Sequence, residues 1–502
     1  MLYTEGLSYS RTRVNRQDGT FYNVVEVTAN NLDQVDFHKG INEPRDRKLH
    51  DVIHLRTLKA LSRGISKPII IAWDAYSHLE SCNDFEPSKA SDDLIHLSKN
   101  ALISHHLRYL LESRNYLIED GKLRVKRCLT SKDTMAQEIL DNLYSQERIQ
   151  VSGWDPSLPM EEVYANFDPK RDLIPVGHLG FPSTYARKEN HVVVFNTSYF
   201  LFEEEDYISE FSLFGDAYNL QISNGVIESP PLYKRSSLLF KSDGGVELVA
   251  VSLQDLKISF LDQEWDLAQQ QIFTRYSHVL EHDHTMTHTP IQLGTIHFII
   301  IDRSVVGYKQ NGGVEIPHNG FVLALPLEQI PLGTFSNLVS YSFSNGQSYR
   351  LGIQTGPGLI RDGQVILDQN TLVREQFFRK RIVDGEVQDY GIVPTDYAPD
   401  IVQTRAARAV IGVGAQGEFK VLAVESVNQG MAEVYGESSG VTLAELALLA
   451  KNRNYHYALN LDGGGSATID YMYGKLVKGA DRRGLPGVTY ERMVPSVGVI
   501  SR

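Results

Sequence analysis

The sequence lacks several features that define whole classes of protein. Its 502 residues include only two cysteines, Cys82 and Cys128, so no disulfide framework is expected. No apolar run approaches the roughly 18 residues of a membrane-spanning helix. The opening residues, MLYTEGLSYSRTR, contain no apolar stretch of the kind that a secretory signal requires. We therefore expect a cytoplasmic protein that does not interact with membranes.

Positive charge is also scarce. The chain has 49 Lys and Arg against 62 Asp and Glu, which gives a net charge of −13. A nucleic-acid-binding face needs clustered basic residues, so nucleic acid is not an expected partner. A small anionic molecule held by a few local arginines remains compatible with this charge. The hydrophobic content of 42% is that of a globular protein with a substantial core.

The apolar pattern changes twice along the chain. Residues 6–38 read as strands around the turn sequence QDGT. From about residue 45 to 150 leucines recur at helical spacing, above all in SDDLIHLSKNALISHHLRYLLESRNYLI, where Ser91 is a candidate N-cap. NYLIEDGKLRVKR predicts a hairpin and DTMAQEILDNLYSQERI predicts a second helix. Beyond about residue 170, short apolar runs alternate with turn residues, as in a β domain.

These changes predict three segments. Residues 1–44 supply opening strands, residues 45–165 form a mostly helical insertion, and residues 166–502 form the main domain. The predicted fold class is α+β, with a β-rich domain, flanking helices and the helical insertion.

The stretch NLDGGGSATID carries the strongest chemical signal. A helix with a Thr442–Glu445 capping box is followed by the apolar strand HYALNLD, which places Asp462 at the carboxyl end of a strand. The stretch lacks the lysine of a P-loop and the third glycine of a dinucleotide fingerprint. Bare N–H groups of Gly463–Gly465 can still bind an anion. With Ser466, the pattern favours an acid–base carboxylate beside a phosphate cradle; the alternative is a tight turn capped by Asp462.

Two further patterns allow two interpretations each. In TRAARAVIGV, Arg405 and Arg408 precede a strand and either grip a phosphate or form surface salt bridges. The segment HVLEHDHTMTHTP contains four histidines at spacings that suit a metal: His278, His282, His284 and His288. A solvated polar loop is the simpler interpretation. No cofactor is therefore predicted, and a divalent metal at His282, His284 and His288 is the alternative.

Several segments together resemble the phosphodiester glycosidase family. The resemblance runs through FNTSYF, QTGPGLIRDG, ARAVIGV, GVTLAELA and NLDGGGSAT, in that order along the chain. IPHNGFVLAL, ERMVPSVGVI and the opening strands also resemble parts of the family. The similarity covers about residues 6–40 and 170–502. NLDGGGS is its most specific motif.

The resemblance implies a hydrolase of carbohydrate metabolism that cleaves the C1–O bond of a small-molecule sugar-1-phosphodiester. Asp462 would then act as base or nucleophile, with Glu425 or Glu437 as a second carboxylate. Arg408 and the amides of Gly463, Gly464 and Gly465 would hold the phosphate, and Asn196 would orient sugar hydroxyls. The remaining motif positions, Asn460, Ser466 and Gly356, would contribute to substrate binding.

The chain also departs from the family pattern. Thr197 and Ser198 replace two glycines, Ala407 and Ala409 flank Arg408, and Glu425-Ser426 replace an aspartate and a glycine. Two other functions stay open: a metal-dependent phosphodiesterase that cleaves P–O, and a non-catalytic sugar-phosphate-binding protein. In the second case the insertion would contact a protein partner or another copy of the chain.

Overall fold

The structure is a computed structural model that describes part of the chain. The described residues are 6–39, 70–73, 95–96, 109–110, 113, 115–119, 122–145, 149–152, 175–176, 182–186, 191–201, 216–275, 287–331, 337–383, 386–391, 404–426, 438–471, 474–477 and 494–502. Within these ranges no helix is long and apolar enough to cross a bilayer.

Strands dominate the described residues. In chain order they are β1 (Leu7–Asn15), β2 (Phe21–Ala29), β3 (Val35–Lys39), β4 (Ile70–Trp73), β5 (Ile95–His96), β6 (Tyr116–Glu119), β7 (Lys122–Val125), β8 (Ile149–Ser152), β9 (Pro175–Val176), β10 (His191–Asn196), β11 (Gln221–Ser223), β12 (Val226–Ser229), β13 (Arg235–Lys241), β14 (Val246–Val251), β15 (Leu256–Phe260), β16 (Gln263–Asp266), β17 (Gln271–Phe273), β18 (Ile291–Ile301), β19 (Ser304–Gly312), β20 (Gly320–Pro326), β21 (Ser340–Phe343), β22 (Tyr349–Gln354), β23 (Gly358–Arg361), β24 (Gln364–Val365), β25 (Phe378–Val383), β26 (Glu386–Gly391), β27 (Arg408–Gly414), β28 (Phe419–Val424), β29 (Tyr455–Asn460), β30 (Ile469–Tyr471), β31 (Gly474–Lys475) and β32 (Ser496–Ser501).

Helices are few by comparison. The α-helices are α1 (Ser131–Ser145), α2 (Pro182–Ala186), α3 (Gln369–Arg374) and α4 (Leu443–Asn452). Short 3-10 turns occupy Leu32–Gln34, Leu253–Asp255, Leu267–Gln269, Leu327–Gln329 and Gly464–Ser466. The prediction of a β-rich fold is confirmed.

A seven-stranded sheet forms the centre of the fold, in the order β1-β2-β28-β27-β29-β23-β24. Its neighbouring strands are antiparallel throughout. Two five-stranded sheets matter for the site: β3-β32-β10-β30-β31 and β12-β11-β22-β13-β14. A third five-stranded sheet has the order β17-β20-β18-β19-β5.

The inner strands β27 and β28 of the central sheet are buried on both faces because alternate residues enter two different cores. On one face Val410 and Val424 pack in the same cluster as Leu443 and Leu446 of α4. On the other face Ala409 lies in the cluster that includes residues of β10 and β32. This explains why β27 and β28 are apolar at most positions, with Arg408 and Lys420 as the exceptions, rather than at alternate ones.

The prediction of a mostly helical insertion is not supported. The described residues of that segment form strands β4 to β8 together with α1 and a few further helical residues. Ile95–His96, inside the longest predicted helix, is a strand that pairs with Gly307 and Tyr308 of β19. The hairpin β6–β7 and the helix at α1 are confirmed. In the rest of that stretch, Tyr116, Leu117 and Ile118 lie in β6, and Tyr109, Leu110 and Ser113 are helical. Most of its other residues, including Ser91, lie outside the described residues.

Candidate active site

Asp462 leaves the central sheet two residues after the end of β29. The backbone N–H of Asp462 donates to Thr197 O at 3.1 Å, and its carbonyl accepts from Asn196 Nδ2 at 2.7 Å. Thr197 and Asn196 lie at the end of β10 in the neighbouring sheet. Asp462 is thus fixed where the ends of two sheets meet, with 9% of its surface exposed. The main chain of Asp462 is therefore held on both sides by hydrogen bonds, and the residue is largely buried.

The glycines after Asp462 satisfy two separate requirements. A Cβ on Gly463 would lie 2.8 Å from Ala407 O, so the turn packs too closely against β27 for any side chain. Gly464 has φ +57°, where L-residues are strained, and a Cβ there would meet no atom within 4 Å. The first glycine therefore serves the fold, while the second keeps an open space free of side chains.

Only some of the N–H groups in the glycine turn donate hydrogen bonds within the described part of the protein. Gly464 N donates to Ala407 O at 2.7 Å and Ser466 N donates to Gly463 O at 3.1 Å. The N–H groups of Gly463 and Gly465 make no hydrogen bond to the described residues. Two of the predicted amides, rather than three in a row, thus remain available to an acceptor.

Arg408 begins β27, directly beside the glycine turn. Its Cδ would be 3.6 Å from a Cβ on Gly463, and its guanidinium donates to Thr404 O at 3.1 Å and Val441 O at 3.4 Å. The side chain is almost fully buried. These two carbonyls fix the direction of the guanidinium, and the structure brings Arg408 together with the turn as predicted from the sequence.

Tyr199 stands at the centre of the cluster. Burial raises the pKa of the Tyr199 hydroxyl, the negative charge of Asp462 raises it further, and Arg235 and Arg408 act in the opposite direction. The charges of the Asp462 carboxylate and of two guanidinium groups therefore all act on the Tyr199 hydroxyl. Sequence reasoning missed Tyr199, although it follows Asn196 by three positions within FNTSYF.

Asn460 and Gly356 complete the inner wall. Asn460 Nδ2 donates to Tyr199 Oη at 2.8 Å and to Gly356 O at 3.2 Å, and Tyr199 Oη donates to Gly356 O at 3.1 Å. Gly356 precedes Pro357 in a cis peptide and has φ +69°. A Cβ at Gly356 would lie 2.5 Å from Glu375 Oε2. Gly356 is consequently required by packing, and its carbonyl, not its missing side chain, takes part in the site.

Asn196 joins the two sheets. Its Nδ2 donates to Asp462 O at 2.7 Å, while its Oδ1 accepts from Thr468 N at 3.0 Å. Both ends of the amide are thereby engaged with the backbone on either side of the glycine turn. The side chain of Asn196 therefore holds the loop that carries Asp462 in place.

The two residues that replace family glycines are linked to one hydroxyl on β32. Thr197 Oγ1 lies 2.7 Å from Ser496 Oγ, which donates to Ser198 Oγ at 2.6 Å. All three residues are buried. The added hydroxyl groups are therefore hydrogen-bonded within the protein, which offsets the cost of burying them.

Glu425 is hydrogen-bonded to the first hairpin. It follows β28 and faces the same side as Ala407, whereas Arg408 faces the side of Val424. Glu425 Oε1 accepts from Arg11 at 2.7 Å and Oε2 accepts from Asn23 Nδ2 at 2.8 Å. The structure does not bring Glu425 onto the face that holds Arg408.

The other predicted residues contribute less to the observed geometry. Glu437, His282 and His284 lie outside the described residues, and His288 is exposed in an isolated bridge with Glu315. Within the described part of the chain, no group of three or more His, Cys, Asp or Glu is placed to hold a metal ion. Ser466 is buried, and its Oγ has no hydrogen-bond partner among the described residues.

Arg235 is a further residue that the sequence did not reveal. It is buried at the start of β13, with its guanidinium 4.0 Å from the Phe377 ring centroid and 5.9 Å from that of Tyr199. Its Nε donates to Glu375 O at 3.2 Å. The site thus combines a carboxylate, two arginines, free backbone N–H groups and a tyrosine hydroxyl, a set suited to proton transfer beside a bound anion.

Residues 298–500 match the family model described as phosphodiester glycosidase. The chain therefore carries a phosphodiester glycosidase domain in its C-terminal part, and the resemblance drawn from the motifs is confirmed at this level. No curated protein matches the sequence.

Three solved structures are similar in outline. A hypothetical protein from Synechocystis is 15% identical with a TM-score of 0.43, and the match covers 100% of this chain and 63% of that one. The zebrafish N-acetylglucosamine-1-phosphodiester alpha-N-acetylglucosaminidase catalytic domain, auto-inhibited by its pro-peptide, is 10% identical with a TM-score of 0.37, covering 100% and 85%. A protein from Burkholderia pseudomallei is 14% identical with a TM-score of 0.42, covering 99% and 97%. Similarity at this level carries no argument about activity.

Proposed function

We propose that this protein hydrolyses a sugar-1-phosphodiester at the C1–O bond, releasing the free sugar and a phosphomonoester. The observation that carries the proposal is that the charges of Asp462 and Arg408 both act on the Tyr199 hydroxyl, while Arg408 packs against the glycine turn that follows Asp462. These groups offer a carboxylate and an anion-binding surface to one substrate. The family of the C-terminal domain supports the same reaction class.

The chemistry suits these residues. As the C1–O bond breaks, its electron pair goes to the phosphate oxygen, and positive charge develops at C1. A phosphate ester leaves as an anion, so it needs electrostatic support more than a strong general acid. Arg408 and the N–H groups of Gly463 and Gly465 supply this support. Water provides the new hydroxyl group at C1, and its proton passes to Asp462 or, after a covalent step, to solvent.

The position of Asp462 supports its role in this proposal. It lies close enough to Tyr199 to act on the pKa of that hydroxyl, and backbone bonds to the end of β10 hold its own main chain. A fixed carboxylate can stabilise developing charge without reorganising. Glu425, held by Arg11 and Asn23 on the other face, serves in this proposal to support the sheet.

The test is product analysis in ¹⁸O-water with a panel of α-sugar-1-phosphodiesters and nucleotide sugars. Label in the sugar hydroxyl is expected with the parent chain. Asp462→Asn should abolish this product while the protein remains folded. Asp362→Asn is the matched control, because Asp362 is an exposed turn residue bonded to Tyr457, and it should leave turnover unchanged.

Other outcomes would redirect the assignment. Label in the phosphate would mean P–O cleavage and would replace the proposal with a phosphodiesterase. Unchanged turnover by Asp462→Asn would remove Asp462 from the chemistry. Binding of the panel without turnover would leave a sugar-phosphate-binding protein.

A further inference from the structure

The inner wall of the site contains a buried hydrogen-bond acceptor that no described residue satisfies. Asn460 is 1% exposed, and its Oδ1 has no hydrogen-bond partner among the described residues. Leaving a buried polar atom unpaired typically costs about 1–3 kcal/mol, which is why nearly all such atoms in folded proteins are paired. We therefore expect a solvent or ligand molecule to supply its partner.

The orientation of this amide is fixed by its neighbours. Gly356 O can only accept, and it receives hydrogen bonds from both Tyr199 Oη at 3.1 Å and Asn460 Nδ2 at 3.2 Å. Since Tyr199 gives its single proton to that carbonyl, it can only accept from Asn460, at 2.8 Å. The amide nitrogen must face Tyr199 and Gly356, and the oxygen must face away from them.

We propose that Asn460 Oδ1 is a substrate subsite that accepts a hydrogen bond from a hydroxyl or amide N–H of the sugar, and that Tyr199 is the positioning residue that aims it. The inference rests on the proposed function for the identity of the ligand as a sugar. Asn460 lies in the same strand and loop as Asp462, and Tyr199 is close to both. We therefore expect the group that donates to Asn460 Oδ1 to belong to the sugar ring that carries the reacting carbon.

This arrangement predicts which sugars bind. A site built to accept a hydrogen bond discriminates strongly against an analogue that lacks the donor, because the buried acceptor is then left unpaired. Sugars with the donor should bind, and the corresponding deoxy sugar should not.

The test is a binding cycle on the full chain. An α-sugar-1-phosphodiester and its monodeoxy analogues are titrated by calorimetry into Asp462→Asn, which prevents hydrolysis, and into Asp462→Asn combined with Asn460→Leu. One deoxy analogue should bind about ten-fold more weakly to the first protein, and that difference should disappear in the second. If every analogue keeps the same ratio in both proteins, Asn460 reads no donor and the proposal fails.

Tyr199→Phe provides an independent arm if Asn460→Leu does not fold. It keeps Oδ1 but removes one of the two bonds that aim it, so discrimination against the same deoxy analogue should shrink at least about three-fold. Tyr455→Phe is the matched control, because it removes a buried hydroxyl from the opposite end of β29. Equal discrimination by Tyr199→Phe, by Tyr455→Phe and by the protein that carries neither change would overturn the positioning role of Tyr199.

The two proposals can fail separately. If the parent chain turns over no phosphodiester but the binding cycle shows the Asn460-dependent difference, hydrolysis is wrong and the subsite stands. If the parent hydrolyses its substrate and no deoxy analogue shows that difference, hydrolysis stands and the subsite is wrong.

Discussion

Gly464 and Gly417 both have a left-handed backbone, but only Gly464 lies beside the candidate site. A comparison of the two distinguishes an effect on folding from an effect on activity. Gly464 has φ +57° and Gly417 has φ +87°, and a Cβ at either position would meet no atom within 4 Å. Gly417 lies in the turn between β27 and β28, and Gly464 lies beside Asp462. The two residues are therefore matched in conformation and in space but differ in location.

We predict that Gly464→Ala and Gly417→Ala lose similar stability, on the order of 1 kcal/mol each, because both place a Cβ at positive φ. Only Gly464→Ala should also reduce turnover, since its methyl group enters the space in front of the turn. Chemical denaturation and steady-state kinetics on both variants check this. Equal activity of the two would show that the space beside Gly464 is not used by substrate.

Arg408 and Arg405 offer a second comparison within one segment. Arg408 is buried and donates to Thr404 O and Val441 O, while Arg405 is a partly exposed residue that pairs with Asp18 and Glu445. Lysine keeps the charge but cannot form the planar fork. Arg408→Lys should lower kcat/KM roughly 10- to 100-fold, as expected when an anion-stabilising donor is lost.

Arg405→Lys should leave kcat/KM nearly unchanged, because solvent screens exposed ion pairs. A loss of equal size in both variants would indicate that positive charge near β27, rather than the geometry of Arg408, supports the reaction.

The candidate site was only partly predictable at this scale. Asp462, Arg408 and the glycines were recognisable because their residue types and spacing are unusual in a strand context. Tyr199 was missed because one more aromatic residue in an apolar run looks like core, and its role depends on contacts with Asn460 and Gly356 across 261 and 157 positions. The face occupied by Glu425 was likewise set by pairing register, which the sequence does not display.

At the scale of elements, α4 fixes the start of the segment that ends at Asp462. Thr442 Oγ1 accepts from Glu445 N, and the Glu445 carboxylate accepts from Thr442 N and pairs with Arg16. Hydrogen bonds to Thr442 and the charge of Arg16 hold the pKa of Glu445 below its ordinary value despite burial, which acts the other way. The cap therefore joins the first hairpin to the helix that precedes β29.

Thr442→Ala should reduce the free energy of unfolding by about 1 kcal/mol, the usual value for a lost N-cap. Thr442→Ser keeps the accepting oxygen and should recover most of that loss. Denaturant titrations of both variants make the measurement. A Thr442→Ser protein as unstable as Thr442→Ala would mean that the methyl group, not the cap, contributes the stability.

Elements with local signals were predicted correctly and those that depend on distant partners were not. α4, the hairpin of β1 and β2 and the hairpin of β6 and β7 each carry a cap or a turn within their own sequence. Ile95–His96 lies in a stretch with helical periodicity but is a strand because β19 offers its edge for pairing. Tertiary pairing here overrides local propensity.

At the scale of the molecule, two buried histidines link folding to pH. His297 lies fully buried between Thr289 and Thr295 and stacks on Phe273. Burial lowers the pKa of His297 from 6.5 to about 4. Burial, assisted by the positive charge of Arg275, lowers that of His318 from 6.5 to about 3. Both side chains are thus neutral in the folded protein at neutral pH.

Because the unfolded chain binds these protons near pH 6.5 and the folded chain does not, the two histidines reduce stability as the pH falls. Above about pH 6.5 both histidines are neutral in the folded and the unfolded chain and do not reduce the free energy of unfolding. This free energy declines as the pH falls towards 4, where His297 begins to be protonated in the folded state as well. A shift of this size corresponds to about 3 kcal/mol for His297, at about 1.4 kcal/mol for each pH unit.

We predict that the midpoint of urea unfolding falls steadily from pH 7 to pH 4 and that His297→Gln flattens this slope. Glutamine does not titrate, and its amide can still bond to Thr289 or Thr295, so the variant should be less stable than the parent at pH 7 but lose less on acidification. Exposed His288 supplies the control, because His288→Gln changes neither burial nor packing. Parallel slopes for the parent and His297→Gln would show that acid acts on the fold through other groups.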